Sequence, residues 1–148
     1  MEFNELIEDF ATRHGVENLV AADGAVALDI DGIVVTIVVA GDVVSLSADI
    51  GAAPVEGRAD FADLLLEASV QSNCFFAKAP ESETYVIVRR LSLAALDSDA
   101  FDAALEALVN QAETWRRILA DFRPAAKAAA AQAASEGLSF GAPDFMQV

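Results

Sequence analysis

The sequence predicts an α+β fold in the order helix, three-strand meander, helix, β-hairpin and long helix: an antiparallel sheet with packed helices, working as a homodimer. Three observations predict it. The hydrophobic period changes from helical to alternating and back along the 148 residues. The turn dipeptides Asp31-Gly32 and Gly41-Asp42 separate the alternating runs. Residues 59–91 carry more apolar side chain than one buried face can hold.

Residues 2–14 read as an amphipathic helix. Phe3, Leu6, Ile7 and Phe10 share a face, and Glu2, Glu5, Glu8 and Asp9 gather toward the end where the helix dipole favours negative charge. Gly15 supplies the left-handed residue that ends the helix, and Val16 and Leu19 lead to a turn at Asp23-Gly24. In the meander, Val26, Leu28 and Ile30 alternate with Ala27, Asp29 and Asp31. The second strand, 33–39, is apolar on both faces: Ile33, Val35, Ile37 and Val39 on one, Val34 and Val38 flanking Thr36 on the other. A strand with one wet face alternates more cleanly, so this one is expected to be covered twice, by the protein or by a partner. In the third strand Val44, Leu46, Ala48 and Ile50 alternate with Ser45, Ser47 and Asp49. Residues 51–58, with Gly, Pro and a charge pair, form a loop into the second helix.

That helix has two apolar rows. Phe61, Leu64, Leu65 and Ala68 stand at i, i+3, i+4 and i+7, while Ala62, Leu66 and Val70 fall on another side. Leaving a Leu or Val in water costs roughly 1.5–3 kcal/mol relative to burial. In a chain this small a second copy is the simplest cover, so the helix and the hairpin after it are expected to form a dimer interface. Its expected residues are Phe61, Ala62, Leu65, Leu66, Ser69, Val70, Phe75 and Tyr85. The hairpin strands are residues 74–79 and 84–91, the second β-branched and aromatic.

From Ser98 onward Phe101, Leu105, Leu108, Ala112, Trp115, Leu119 and Phe122 mark a sustained helical stripe. Asp97 or Ser98 caps it, Arg116, Arg117 and Arg123 gather at its far end, and Pro124 stops or restarts it. A coiled coil shows the same spacing; a helix lying across a sheet is the preferred reading. Residues 1–123 are thus one domain. Residues 124–148 are an alanine-rich helical or flexible tail whose Phe140, Phe145, Met146 and Val148 either hang free or dock on a groove of this or a neighbouring molecule.

Composition narrows the function classes. The apolar share is 55%, the charged share 22% and the net charge −15, which describes a globular chain that repels nucleic acid and anionic membranes. No uncharged apolar run has the length of a membrane span, and the first ten residues are acidic where a signal peptide is positive. A single cysteine, Cys74, rules out an intrachain disulfide. The expected location is the cytoplasm.

Catalytic and metal constellations are missing from the pattern. His14, the single histidine, stands at a helix end with no nucleophile in sequence reach, and Cys74 has neither a CxxC spacing nor a paired histidine. Asp29-x-Asp31-Gly32 opens like a calcium loop but lacks the later ligands. No phosphate-cradling glycine loop is present. No enzyme activity, cofactor or metal is expected.

The order of elements, together with several short segments, resembles the class I type III secretion chaperones of the Tir-chaperone family over residues 3–122. The segments are Phe3-Asn4-Glu5-Leu6-Ile7 running into His14-Gly15-Val16-Glu17-Asn18-Leu19, Leu-Asp-Ile-Asp-Gly at 28–32, Leu64-Leu65-Leu66-Glu67-Ala68, and Leu91-Ser92-Leu93-Ala94-Ala95-Leu96-Asp97. Phe101, Leu105, Val109 and Ala112-Glu113-Thr114-Trp115-Arg116 close the pattern, where the family carries Ala-Glu-x-Trp-Arg. The resemblance implies an acidic cytoplasmic homodimer that binds the unfolded N-terminal segment of a secreted effector, extended and without ATP, and keeps it secretion-competent. It also implies a dimer built by the second helix and hairpin. An extended peptide can add main-chain hydrogen bonds to a sheet and place side chains in pockets. The partner-binding residues expected are Phe3, Leu6, Ile7 and Phe10 on the first helix and Val34, Thr36 and Val38 on the second strand. Two departures stand out: Asn73-Cys74-Phe75 replaces a frequent glycine after the second helix, and the tail is longer than the pattern needs. A regulatory or adaptor domain reusing this fold for a partner unrelated to secretion is the alternative; an acid–base hydrolase using Asp29 and Asp31 has little behind it.

Overall fold

Helix α1 (Phe3–His14) opens with the Glu5 carboxylate accepting the Glu2 backbone N–H at 3.1 Å and ends at Gly15, whose φ of 63° is the expected left-handed cap. The computed structural model describes residues 2–16, 19–22 and 24–124; the expected tail beyond Pro124 lies outside them. Strands β1 (Leu19–Ala22), β2 (Ala25–Ile30), β3 (Ile33–Ala40) and β4 (Val43–Ala52) follow, then α2 (Arg58–Gln71), β5 (Phe75–Lys78), β6 (Thr84–Ser92), a 3-10 turn at Leu93–Ala95 and α3 (Ser98–Asp121).

Meander and hairpin join in a single antiparallel sheet of six strands, in the order β1-β2-β3-β4-β6-β5. The join is the long β4–β6 pairing, from Val43 opposite Ser92 to Ala52 opposite Thr84, with a bulge between Asp49 and Gly51. Strand β1 is an addition to the expected meander. It pairs Leu19 with Leu28 and Ala22 with Ala25, where the sequence shows only a four-residue apolar run before a turn. Strand β5 begins at Phe75, one residue later than expected.

The β2–β3 turn has both central residues left-handed, Asp31 at φ 53° and Gly32 at φ 85°, which matches the twist of the flanking strands. Asp29 accepts the Gly32 N–H at 2.9 Å, so the Asp29-x-Asp31-Gly32 segment works as a hairpin turn. Asp42 ties the next turn to the end of β6, accepting from the Ser92 hydroxyl at 2.8 Å and the Ala94 N–H at 2.9 Å.

One face of the sheet holds the core. Val26, Leu28, Val35, Ile37, Leu46 and Ile87 are buried there, and α3 lies across β3, β4 and β6 with Phe101, Leu105, Leu108, Ala112 and Trp115 buried against them. The stripe is therefore a helix-on-sheet seam. Trp115 is fully buried between Phe76 of β5 (centroids 5.1 Å) and Phe61 of α2 (6.3 Å, edge-on), and Phe61 also meets Tyr85 and Phe122. This aromatic cluster fastens α2, β5, β6 and the end of α3 together; such contacts add roughly 0.5–1.5 kcal/mol each beyond burial.

Helix α1 docks on the start of α3. Phe10 packs edge-on against Phe101, and Arg13 forks onto Asp102 (2.5 and 2.9 Å) while its Nε reaches Asp9 (2.8 Å). The Ser98 hydroxyl also donates to Asp9, and His14 Nε2 lies 3.1 Å from Asp102. Both carboxyls are held below their ordinary values, Asp9 first by the Ser98 hydroxyl and then by Arg13, Asp102 first by Arg13 and then by His14. A carboxylate whose pKa is lower in the folded state contributes stability above its unfolded pKa, near 4, and loses it as pH falls through the folded value. Replacing Asp102 by Asn is expected to lower the thermal midpoint at pH 7 by about 2–4 °C. Thermal melts at pH 7 and pH 3 should show that deficit shrinking on acidification, because the native carboxylate is itself being neutralised.

A candidate protein-interaction surface

With every described helix on one side, the sheet's opposite face carries no cover from the described residues. Alternation along β3 buries Ile33, Val35 and Ile37 and turns Val34 (51% exposed), Thr36 and Val38 (40%) outward. Among the described residues, the strand expected to be covered twice is thus covered on one face. Cross-strand register extends the open face into a row: Ala27, Thr36, Ser47, Val88 and Phe75 stand side by side across β2, β3, β4, β6 and β5. Val43 is a further exposed apolar residue on this face, and the Arg90 guanidinium sits 5.3 Å over the Phe75 ring, a cation–π contact that keeps Phe75 at the surface. A recess of about 200 Å³ lies among Val34, Thr36, Ser47 and Asp49, deep enough for one side chain. At the two borders of the sheet, β1 and β5 are edge strands of four residues each, whose outer main-chain groups are open to another strand.

Helix α2 presents a second patch. Its inner stripe of Phe61, Leu64, Leu65 and Ala68 is buried, and its outer row leaves Leu66 and Val70 largely in solvent, with Ala62 and Ser69 half-buried beside them. The Ser69 hydroxyl donates to the Leu65 carbonyl, so its polar atom is satisfied within the helix. The helix packs against β5, which brings this row toward the Phe75 end of the open sheet face.

The structure sorts the expected site residues by burial within the single chain. Phe61, Leu65 and Tyr85, expected at a dimer contact, are buried inside the single chain. Phe3, Leu6, Ile7 and Phe10, expected to face a bound peptide, are buried too, since α1 turns its apolar face onto the core. A side chain with so little surface has no area left to give a partner. What remains open is Ala62, Leu66, Ser69, Val70 and Phe75 on one patch and Val34, Thr36 and Val38 on the other. Val43 and Arg90 were missed. Val43 could have been found as the apolar residue out of phase with Val44, Leu46 and Ala48; nothing local marks Arg90.

Chemically the surface offers shape and apolar area. No buried polar or charged residue occurs among the described residues, and no group of three His, Cys, Asp or Glu side chains there could hold a metal ion. Cys74 is buried and its thiol is pushed up by that burial, which keeps it protonated and unreactive. His14 is exposed at the end of α1 against Asp102, away from both patches. No helix among the described residues is long and apolar enough to cross a membrane.

The sequence profile of the Tir chaperone protein (CesT) family matches residues 5–116, three quarters of the chain. The chain belongs to that family. Curated protein sequences offer no match. Among solved structures, the fold is similar to that of a chain in the ExsC–ExsE complex (TM-score 0.69, 23% identity, covering 80% of this chain and 97% of that one). It is similar as well to the HopA1–SchA chaperone–effector complex (0.66, 15%, 78% and 93%). A third is the Yersinia pestis type III secretion chaperone SycH in complex with a fragment of YscM2 (0.61, 21%, 77% and 99%). At these identities the likeness is one of fold, and it spans nearly the whole of each relative.

Proposed function

We propose that this member of the Tir chaperone family is a non-enzymatic homodimeric chaperone that works in the cytoplasm. It would hold the N-terminal segment of a type III secreted effector extended along its surface until export. The observation that carries the reading is the bare outer face of the sheet, with Val34, Val38 and Val43 in solvent on a chain that belongs to a chaperone family. Solved neighbours of the same fold include a chaperone–effector complex and a type III secretion chaperone bound to a fragment of YscM2, which favours this reading over a regulatory adaptor.

Two patches call for two kinds of cover. The convex outer row of α2, with Leu66 and Val70, suits the same row on a second copy, because a two-fold axis lets one strip of side chains complement itself. The flatter sheet face, bordered by edge strands, suits an extended client, which can continue the main-chain ladder while placing alternate side chains over Val34, Thr36 and Val38. A net charge of −15 keeps such an apolar surface in solution. The chemistry required is capture and release of chain, for which neither a cofactor nor ATP is needed.

Introducing charge separates the two roles. Leu66→Asp combined with Val70→Asp puts two carboxylates into the α2 contact, and sedimentation should show at least about a hundredfold weaker self-association, roughly 2.7 kcal/mol; a persistent dimer would place the interface elsewhere. Val34→Asp with Val38→Asp should leave the dimer intact and weaken client capture by at least about tenfold. The measurement is binding of an effector first identified by mass spectrometry after co-purification with the native chain. Undiminished capture would remove the sheet face from the client site.

A further inference from the structure

A groove of about 500 Å³ opens at the far end of the molecule from the α1 clamp, between the end of β4, the β4–α2 loop and the last turn of α3. Two glycines make it. Gly51, at φ 132°, lets Leu119 of α3 approach so closely that a Cβ would sit 2.8 Å from its Cδ2. Gly57, at φ 73°, does the same for Pro124, where a Cβ would fall 2.7 Å from the ring. The end of α3 and the two residues leading to Pro124 are therefore seated against the loop, and the chain leaves the described fold at the groove itself.

The lining joins apolar surface to positive charge. Val55, 96% exposed, faces solvent beside Leu119, Phe122 and Pro124, and Arg116 and Arg123 line the same groove opposite one carboxylate, Glu56. Both arginines donate hydrogen bonds to main-chain carbonyls, Arg116 to Asp49 and Arg123 to Phe122. Neither has a carboxylate partner among the salt bridges of the described residues. In a protein with 24 acidic and 9 basic residues, the groove brings two such cations together beside a single carboxylate.

We propose that this groove is the docking site for the chain's own C-terminal segment around Asp144-Phe145-Met146. Three observations choose that occupant over an outside one. The segment is tethered at the groove's own wall, Pro124. About 20 residues of tether give a reach of roughly 25 Å, enough to fold back, and a local concentration in the millimolar range. Its composition complements the lining: Phe145 and Met146 for Val55, Leu119 and Pro124, and Asp144 for Arg116 or Arg123. The groove contains no residue of α2 and shares only Arg116 with the recess on the sheet face, so Arg123, which lines the groove alone, separates this proposal from client binding.

The test uses the full chain and a fluorescent synthetic peptide of residues 139–148, with anisotropy as the readout. In the native chain the tethered copy should block the peptide. In the full-length Phe145→Asp/Met146→Asp variant, whose groove is vacated, the peptide should bind at least tenfold more tightly. Adding Arg123→Glu, at an exposed position, should remove that gain while circular dichroism and melting stay unchanged; Arg116→Glu serves as the second charge reversal. Equal binding to native and vacated chains, whether weak or tight, overturns the proposal. Binding to the vacated chain that survives both charge reversals does so too, since the peptide then sits elsewhere. If diluting the native chain exposes the groove to peptide, the segment docks on a second copy and the intramolecular assignment is wrong.

Discussion

A six-stranded sheet has two faces, and the described residues supply helices for one. Everything else about the molecule follows from that imbalance. The buried face is closed by α3 lying diagonally across three strands, by α1 at its start and by α2 tied in through Phe61 and Trp115. No fourth helix exists among the described residues to lie on the other side. Polar residues on β4, Ser45 and Ser47, make the open face tolerable in water, while Val34, Val38, Val43 and Phe75 leave it adhesive. A surface of that mixed kind suits reversible contact with unfolded chain, because it gains from burying apolar area without needing a preformed partner shape.

The few cations are placed with economy. Arg13 joins α1 to α3 through Asp102, Arg58 at the start of α2 pairs with Glu83 in the β5–β6 turn at 2.7 Å, and Arg90 covers Phe75. The excess of carboxylates over cations sets the strongly acidic field. That field acts at long range on solubility and on which partners approach; the short-range contacts decide what is held. Family membership and the arrangement of exposed residues therefore carry the functional reading, and net charge alone would not.

Local pattern made most elements legible. Period 3.6 marked α1 and α3, period 2 with Asp31-Gly32 and Gly41-Asp42 marked the meander, and the family resemblance assembled from short packing motifs agrees with the matched span of residues 5–116. Strand β1 escaped because four residues are too few to show a period. The β4–β6 pairing escaped because the partners lie some forty residues apart and nothing local records who pairs with whom. In α2 the periodicity separates two rows, and Phe61 and Leu65, expected at a partner, lie in the row buried within the single chain. An apolar residue reads the same whether its cover comes from its own chain or another.

By itself the sequence determined the kind and order of the elements, the absence of a recognisable catalytic pattern and an excess of apolar residues over what a lone small domain hides. Those are consequences of spacing and composition, which are written along the chain. Only the tertiary structure decided which of those residues are already used. It turned Phe3, Leu6, Ile7 and Phe10 inward, left Val34, Val38, Leu66 and Val70 outside, and brought Arg116 and Arg123 to one groove with Leu119 and Phe122. Burial is a property of two surfaces meeting, and the identity of the second surface is set by long-range packing.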